Sequence, residues 1–228
     1  MNTDKECSLA PIYDITPFSA LDFTGKLSAI IWFSGCNLRC SYCYNPHIVF
    51  GHGSICVQDA LGFLKKRQGL LDGVVMSGGE PTMYEGLLEF CKCVKALGFA
   101  VKLDTNGMNP MVLSKLQKEN LLDFVSLDFK STKEKWATVA VGGSFNAFAN
   151  SLNFLIAHKT PFEVRTTIHP SLLNSEDLQQ MSDFLHAHGY VGKHFVQAYR
   201  HTKTIGHIDE PKNGWIDDFN KNSSLVWR

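Results

Sequence analysis

The sequence predicts an α/β fold, a partial and open βα barrel of about six units. Apolar, β-branched runs alternate along the chain with segments of helical period, as in parallel strands joined by crossover helices. Polar residues collect at the C-terminal ends of the expected strands, the edge where parallel βα folds build their sites. The chain has 228 residues, whereas a closed eight-unit barrel takes about 250. An open doubly wound sheet is the structural alternative.

The elements follow in order. LSAIIWFS (27–34) reads as a strand and VQDALGFLKKRQG (57–69) as a helix. LDGVVMSGG (71–79) holds a buried strand that ends in glycines, and a helix follows over 84–97. FAVKLDT (99–105) is the third strand. The next helix has Asn109 as its N-cap and Pro110 at its first position, where a missing N–H costs nothing. LLDFVSLDF (121–129) is a strand and SFNAFANSLNFLIAHK a helix. FEVRTTI (162–168) is a strand, NSEDLQQMSDFLHAHG a helix opened by Asn174 or Ser175, and KHFVQAY (193–199) the sixth strand. HTKTIGHIDEPKNGW then reads as polar loop. One domain over 1–228 is expected, with its core at about 18–200 and a polar extension over about 201–228.

Composition narrows the partners. Lys plus Arg equals Asp plus Glu at 22 each, with no basic stripe, so nucleic acid is not expected. No apolar run reaches membrane-spanning length. MNTDKECSLAPIYDITPFS lacks the basic start and apolar block of a signal peptide, so the expected location is the cytoplasm. An odd count of seven cysteines in such a chain argues against a disulfide framework. Leu87, Cys91, Val94 and Leu97 mark one apolar helical face, which makes Cys91 a core residue and Cys93 incidental.

CNLRCSYC places Cys36, Cys40 and Cys43 within eight positions, just after the first strand. Two metal readings share this spacing. A tetrahedral zinc site would take the three thiolates with His47 or His52. A four-iron cluster takes one thiolate per iron, and three cysteines would leave one iron open to another ligand. The expected rim carries Ser77, Gly78, Gly79 and Glu80, then Asp104–Asn106, Asp128–Lys130, Arg165–Thr167 and Gln197–Tyr199.

The C-x3-C-x2-C loop, with Gly35 before it and Tyr42 just ahead of the last cysteine, resembles the cluster loop of the radical S-adenosylmethionine (SAM) enzymes. VVMSGGEPT, LDTNG, SLDFK and VRTTIHP follow in that family's order, one per strand. The resemblance implies a [4Fe–4S] cluster on Cys36, Cys40 and Cys43, with SAM chelated at the open iron. It implies close backbone approach at Gly78 and Gly79, and acceptance of the SAM ammonium by Glu80. Asp128 and Lys130 would face the methionine end or the ribose, and Arg165 could reach the SAM carboxylate, unless it pairs with Glu163 instead. Ser77, Asp104, Asn106 and Tyr42 complete the implied SAM pocket. Tyr44 stands where histidine is common in the family and would offer an aromatic wall to adenine. Gln197, Arg200 and His201 are candidates for an adenosine contact.

FSALDFTGKLSAIIWFSGCNLRCSYCYNP, GLLDGVVMSGGEPT and GFAVKLDTNG resemble the activating enzymes of glycyl-radical enzymes, and within them the activating protein of anaerobic ribonucleoside-triphosphate reductase. That likeness implies hydrogen abstraction from a backbone glycine of the partner, and a flavodoxin or ferredoxin as electron donor. A monovalent cation on Asp104 and Asp128 is also implied. A small-molecule enzyme of the 7-carboxy-7-deazaguanine synthase type and an activase of the pyruvate formate-lyase type are the alternatives.

Overall fold

A computed structural model of the chain describes residues 10–200, 202–219 and 225–227. Its strands are β1 (Ile12–Ser19), β2 (Ser28–Phe33), β3 (Arg39–Cys40), β4 (Gly73–Gly78), β5 (Ala100–Thr105), β6 (Phe124–Asp128), β7 (Ala140–Val141), β8 (Phe162–Ile168), β9 (His194–Ala198) and β10 (Leu225–Trp227). The α-helices are α1 (Pro46–Phe50), α2 (Val57–Lys65), α3 (Leu87–Ala96), α4 (Pro110–Lys118), α5 (Trp136–Val139), α6 (Phe145–Ala157) and α7 (Ser175–Ala187). The chain divides into two units. One holds the residues up to Cys36 with His47–Thr105 and Met111–Val125, and the other holds Asn37–Pro46, Asn106–Pro110 and the residues from Ser126 onward.

In the first unit the strand order is β1-β2-β4-β5, followed by the start of β6. β2 and β4 are parallel from Ser28↔Gly73 to Phe33↔Gly78, and β4 and β5 from Gly73↔Ala100 to Met76↔Leu103. β2 and β4 are almost wholly buried, which is why their sequences read as continuous apolar runs instead of alternating ones. Phe23, Ile30 and Val75 form a core cluster, with Trp32, Ala100 and Phe124 packed against it. Cys91 is fully buried on α3 and Cys93 exposed, as the helical face requires.

The second unit orders its strands β6-β8-β9-β10. β8 and β9 are parallel from Val164↔His194 to Ile168↔Ala198, and β10 is parallel to β9. Its core is aromatic. Phe129 stacks on Phe148 with centroids 4.4 Å apart, and Phe145, Phe184 and Trp136 close around them. The helices start where the sequence says. Ser144 caps α6, and Asn174 and Asp177 form a reciprocal capping box on α7.

The six expected strands are β2, β4, β5, β6, β8 and β9, and the α/β class holds with a mostly parallel sheet. Four strands were not foreseen: the two-residue β3 and β7, and the strands β1 and β10. β1 runs antiparallel to β2, and its register slips between Thr16 and Ser19, where Pro17 brings no N–H to the ladder. Its mixed sequence IYDITPFS hides the strand, because much of it is exposed. β10 is only three residues long and sits inside a polar stretch. The helix expected over 84–97 starts later, at Leu87, and a separate 3-10 turn precedes it at Pro81–Met83.

His194 has a fixed tautomer. The Thr166 hydroxyl donates to the Phe129 carbonyl at 2.8 Å, so His194 Nε2, 2.7 Å away, must donate to Thr166 Oγ1. Nδ1 is buried without a hydrogen-bond partner. Burial pushes the imidazole pKa down to about 4, so between the usual histidine pKa and that value the unfolded chain binds a proton that the fold refuses. Stability should therefore fall as pH drops from about 6.5 to about 4, by on the order of 2–3 kcal/mol. Urea midpoints at pH 7 and pH 5 should show the loss, and His194→Phe should flatten it.

Candidate functional site

In the first unit the site is built where β4 meets the end of β2. Gly78 has φ +119°, and a β-carbon there would lie 2.4 Å from the Phe33 carbonyl oxygen. A β-carbon on Gly79 would lie 1.9 Å from the Gly35 carbonyl oxygen. Both positions demand glycine because β4 closes on its own neighbour strand. Gly79 N–H donates to Phe33 C=O and Glu80 N–H to Gly35 C=O, each at 2.9 Å. The GGE segment is thus bonded to the residue that precedes Cys36.

Glu80 is buried, and its Oε1 accepts from the Thr82 amide at 3.2 Å, the Thr82 hydroxyl at 2.5 Å and the Thr105 hydroxyl at 2.7 Å. One carboxylate oxygen therefore caps the 3-10 turn at Pro81–Met83 and ties it to the end of β5. Ser77 Oγ donates to Asp104 Oδ2 at 3.1 Å, and Lys102 Nζ pairs with Asp104 Oδ1 at 3.1 Å. His47, on α1, packs against the Tyr13 ring at 5.5 Å.

In the second unit the loop from Asn37 to Pro46 is laced at several points. Arg39 and Cys40 pair with Val141 and Ala140 of β7. Ser41 N–H donates to Val139 C=O at 3.3 Å, and Cys43 N–H closes a turn on Cys40 C=O at 3.0 Å. Asn106 is buried, with Nδ2 donating to Asn37 Oδ1 at 2.8 Å and Oδ1 accepting from Met108 N–H at 3.0 Å. Asn106 therefore holds the loop, a part that sequence alone did not give it. Ser41 and Asn37 were missed altogether, since neither residue type carries a signal of its own within CNLRCSYC.

Asp128 joins two cations. Arg165 Nε and Nη2 both reach its Oδ1 at 3.0 Å, and Lys130 Nζ reaches its Oδ2 at 3.0 Å. Burial alone would raise the Asp128 pKa, but Arg165 and Lys130 hold it below the usual carboxylate value. Burial likewise works against the Lys130 charge, yet Asp128, Tyr42 and Cys40 keep the ammonium well above its usual pKa. Glu163 accepts from the Ser126 hydroxyl at 2.8 Å.

Lys130 also lies over the Tyr42 ring, 5.8 Å from its centroid. The Tyr42 hydroxyl is buried, near enough to Cys40 to favour its thiolate but outside hydrogen-bond geometry. Burial raises the Cys40 thiol pKa, and Lys130 opposes that. Tyr44 is 47% exposed. Gln197 is half-buried on β9 opposite Thr167, and Arg200 is exposed. His201 lies outside the described residues.

Cys36, Cys40 and Cys43 are in no disulfide, and three cysteine thiolates suit a four-iron cluster, which takes one thiolate per iron and leaves one iron open.

Residues 30–186 match the Radical SAM superfamily, and the chain belongs to it. Over 183 residues it is 31% identical to a Methanocaldococcus jannaschii protein named for glycyl-radical enzyme activation, covering 76% of this chain and 74% of that one. It is 26% identical over 182 residues to the pyruvate formate-lyase-activating enzyme of Clostridium pasteurianum, covering 76% and 75%. The crystal structure of Streptococcus suis SuiB bound to S-adenosylmethionine matches with a TM-score of 0.66 at 14% identity, which speaks for the fold alone. The match covers 87% of this chain and 51% of SuiB, so the chain spans about half the length of that protein. The superfamily's cofactors are a [4Fe–4S] cluster and SAM.

Gly79→Ala tests the close approach. The added carbon can be accommodated only by moving the Gly35 backbone, so a loss of about 2–3 kcal/mol is expected. Chemical denaturation of the protein without its cofactors measures it, and Gly62→Ala, at a site on α2 with open space and no left-handed φ, is the comparison.

Proposed function

We propose that the protein is an activating enzyme for a glycyl-radical enzyme, with a [4Fe–4S] cluster on Cys36, Cys40 and Cys43 and SAM beside it. The observation that carries this reading is the C-x3-C-x2-C loop immediately after the first parallel strand, in a chain of the radical SAM superfamily. When bound, the cluster and SAM would supply the one-electron chemistry that removes a hydrogen atom from a backbone glycine of the partner.

The chain's own residues bind and orient. Glu80 accepts from the SAM ammonium through the carboxylate whose Oε1 is already fixed by Thr82 and Thr105. Lys130 and Arg165 receive the SAM carboxylate, and Asp128 keeps both cations in place until it arrives. Gly78 and Gly79 set the backbone, and Ser77 and Asp104 brace each other beside it. Asn106 steadies the cysteine loop from Asn37. Tyr42 and Tyr44 supply aromatic surface, and Gln197 on β9 contacts the adenosine. A monovalent cation on Asp104 and Asp128 would have to displace Lys102 from the first and Lys130 or Arg165 from the second, which weakens that part of the reading.

The partner in this reading is an anaerobic ribonucleotide reductase, on the strength of the sequence around the cysteine loop. Pyruvate formate-lyase is the second candidate, because the Clostridium pasteurianum relative is named for it. A flavodoxin or ferredoxin supplies the electron, and the setting is the cytoplasm. No helix among the described residues is long and apolar enough to cross a membrane.

The test is electron paramagnetic resonance on an anaerobic mixture of the reduced, cluster-loaded protein, SAM and either partner. A glycyl-radical doublet that needs SAM and appears with the reductase is the expected result. A doublet only with the lyase moves the partner. 5′-Deoxyadenosine without a doublet from either sinks the activase reading and points to a small-molecule substrate. Cys36→Ala, Cys40→Ala and Cys43→Ala should each abolish SAM cleavage, while Cys91→Ala, in the α3 core, should leave it within about threefold of the parent. A fully active Cys40→Ala protein would overturn the mechanism.

A further inference from the structure

The chain after β9 reads as a polar tail, yet part of it is built into the second unit. Thr204 is buried, and its Oγ1 accepts from Ile208 N–H at 3.4 Å. Ile205 N–H donates to Cys43 C=O at 3.0 Å, and Gly206 N–H donates to Ser41 C=O at 2.8 Å. Ser41 is also held from its other side, through its own N–H to Val139 C=O at 3.3 Å and its hydroxyl to Thr138 C=O at 3.3 Å. Ser41 therefore has backbone partners on two sides, Val139 and Thr138 of α5 on one and Gly206 on the other, while the Cys43 carbonyl is held by Ile205.

Gly206 is required for that approach. A β-carbon there would lie 2.7 Å from Ser41 Cβ and 2.8 Å from both Ser41 Cα and its carbonyl oxygen. Real β-carbons do not approach backbone so closely, so any other residue must push this segment off the loop.

The segment is also anchored beyond the contact. His169 Nδ1 accepts from Ser171 N–H at 3.2 Å, which leaves the proton on Nε2, and Nε2 donates to the Asp209 carbonyl at 2.9 Å. The His169 ring meets the Tyr199 ring edge-on, with centroids 4.7 Å apart at 88°. Tyr199 in turn is tied to the end of β8 through its N–H to Ile168 C=O at 2.9 Å. A buried histidine and a buried tyrosine thus pin the segment at Asp209, three residues past Gly206.

We infer that residues 204–209 are a clamp that positions the cysteine loop, acting on Cys43 and Ser41 through the Ile205 and Gly206 amides, with His169 as its anchor. The inference rests on the cluster reading above and assigns positioning roles to Gly206 and His169. Backbone that surrounds a metal ligand sets how readily the metal leaves, and the loss of such support typically costs 10–100-fold in affinity.

The experiment loads the full chain anaerobically with iron and sulfide, then follows bleaching of the cluster absorbance by a ferrous chelator. Gly206→Val should lose its cluster roughly tenfold faster than the parent. His169→Ala, which touches no loop residue, should lose it several-fold faster by the same principle. Melting of the proteins without iron, followed by circular dichroism, should differ little among the three, which separates positioning from general destabilisation. If Gly206→Val does not fold, His169→Ala decides. Equal bleaching rates for the parent and the folded variants overturn the clamp and leave the cluster reading intact. A parent protein that takes up no iron and sulfide overturns the cluster reading and the clamp with it.

Discussion

The first unit depends on one close approach, that of Gly79 to the carbonyl of Gly35. Two parallel strands ordinarily diverge into separate loops at their C-terminal ends. Here β4 instead bonds back to β2 past the end of the ladder, and a missing side chain makes it possible. The approach fixes the residue just before Cys36. It also turns Glu80 inward, where two threonines hold one oxygen of its carboxylate. Moving Gly79 would disturb the start of the cysteine loop and the acidic residue together.

The second unit solves a different problem, because a loop of ten residues cannot hold its shape through its own contacts. Short β3 gives it one edge on β7, Asn106 fastens its first residue, and residues 205–206 run along the far side. These supports come from three places in the sequence that are remote from one another. The aromatic cluster around Phe129 gives the unit a rigid base, since stacked rings bury large areas with little conformational freedom left to lose.

The six parallel strands were legible because each is a buried apolar run bounded by turn residues, and the helices because their caps and apolar faces are local. Cys91 and Cys93 could be sorted by helical period alone. The loop cysteines were legible through spacing, and the rim residues through their place at strand ends. What could not be read was long-range. Nothing in LDFK and VRTT says that Arg165 will reach across to Asp128. Nothing in DTNG says that Asn106 will reach back to Asn37. Gly206 looks like any glycine in a polar tail until its distance to Ser41 is known. β1 escaped for a related reason: it ends the strand order and much of it is exposed, so its sequence never had to become uniformly apolar.

The group formed by Asp128, Lys130 and Arg165 has a consequence for discrimination. Two cations share one carboxylate, so the trio carries a single surplus positive charge. A monoanionic group arriving there brings the sum to zero. A doubly charged phosphate would overshoot and meet Asp128 as an uncompensated neighbour, while an uncharged group would leave the surplus in partly buried surroundings. On the reading proposed above, that balance favours an anion of one unit.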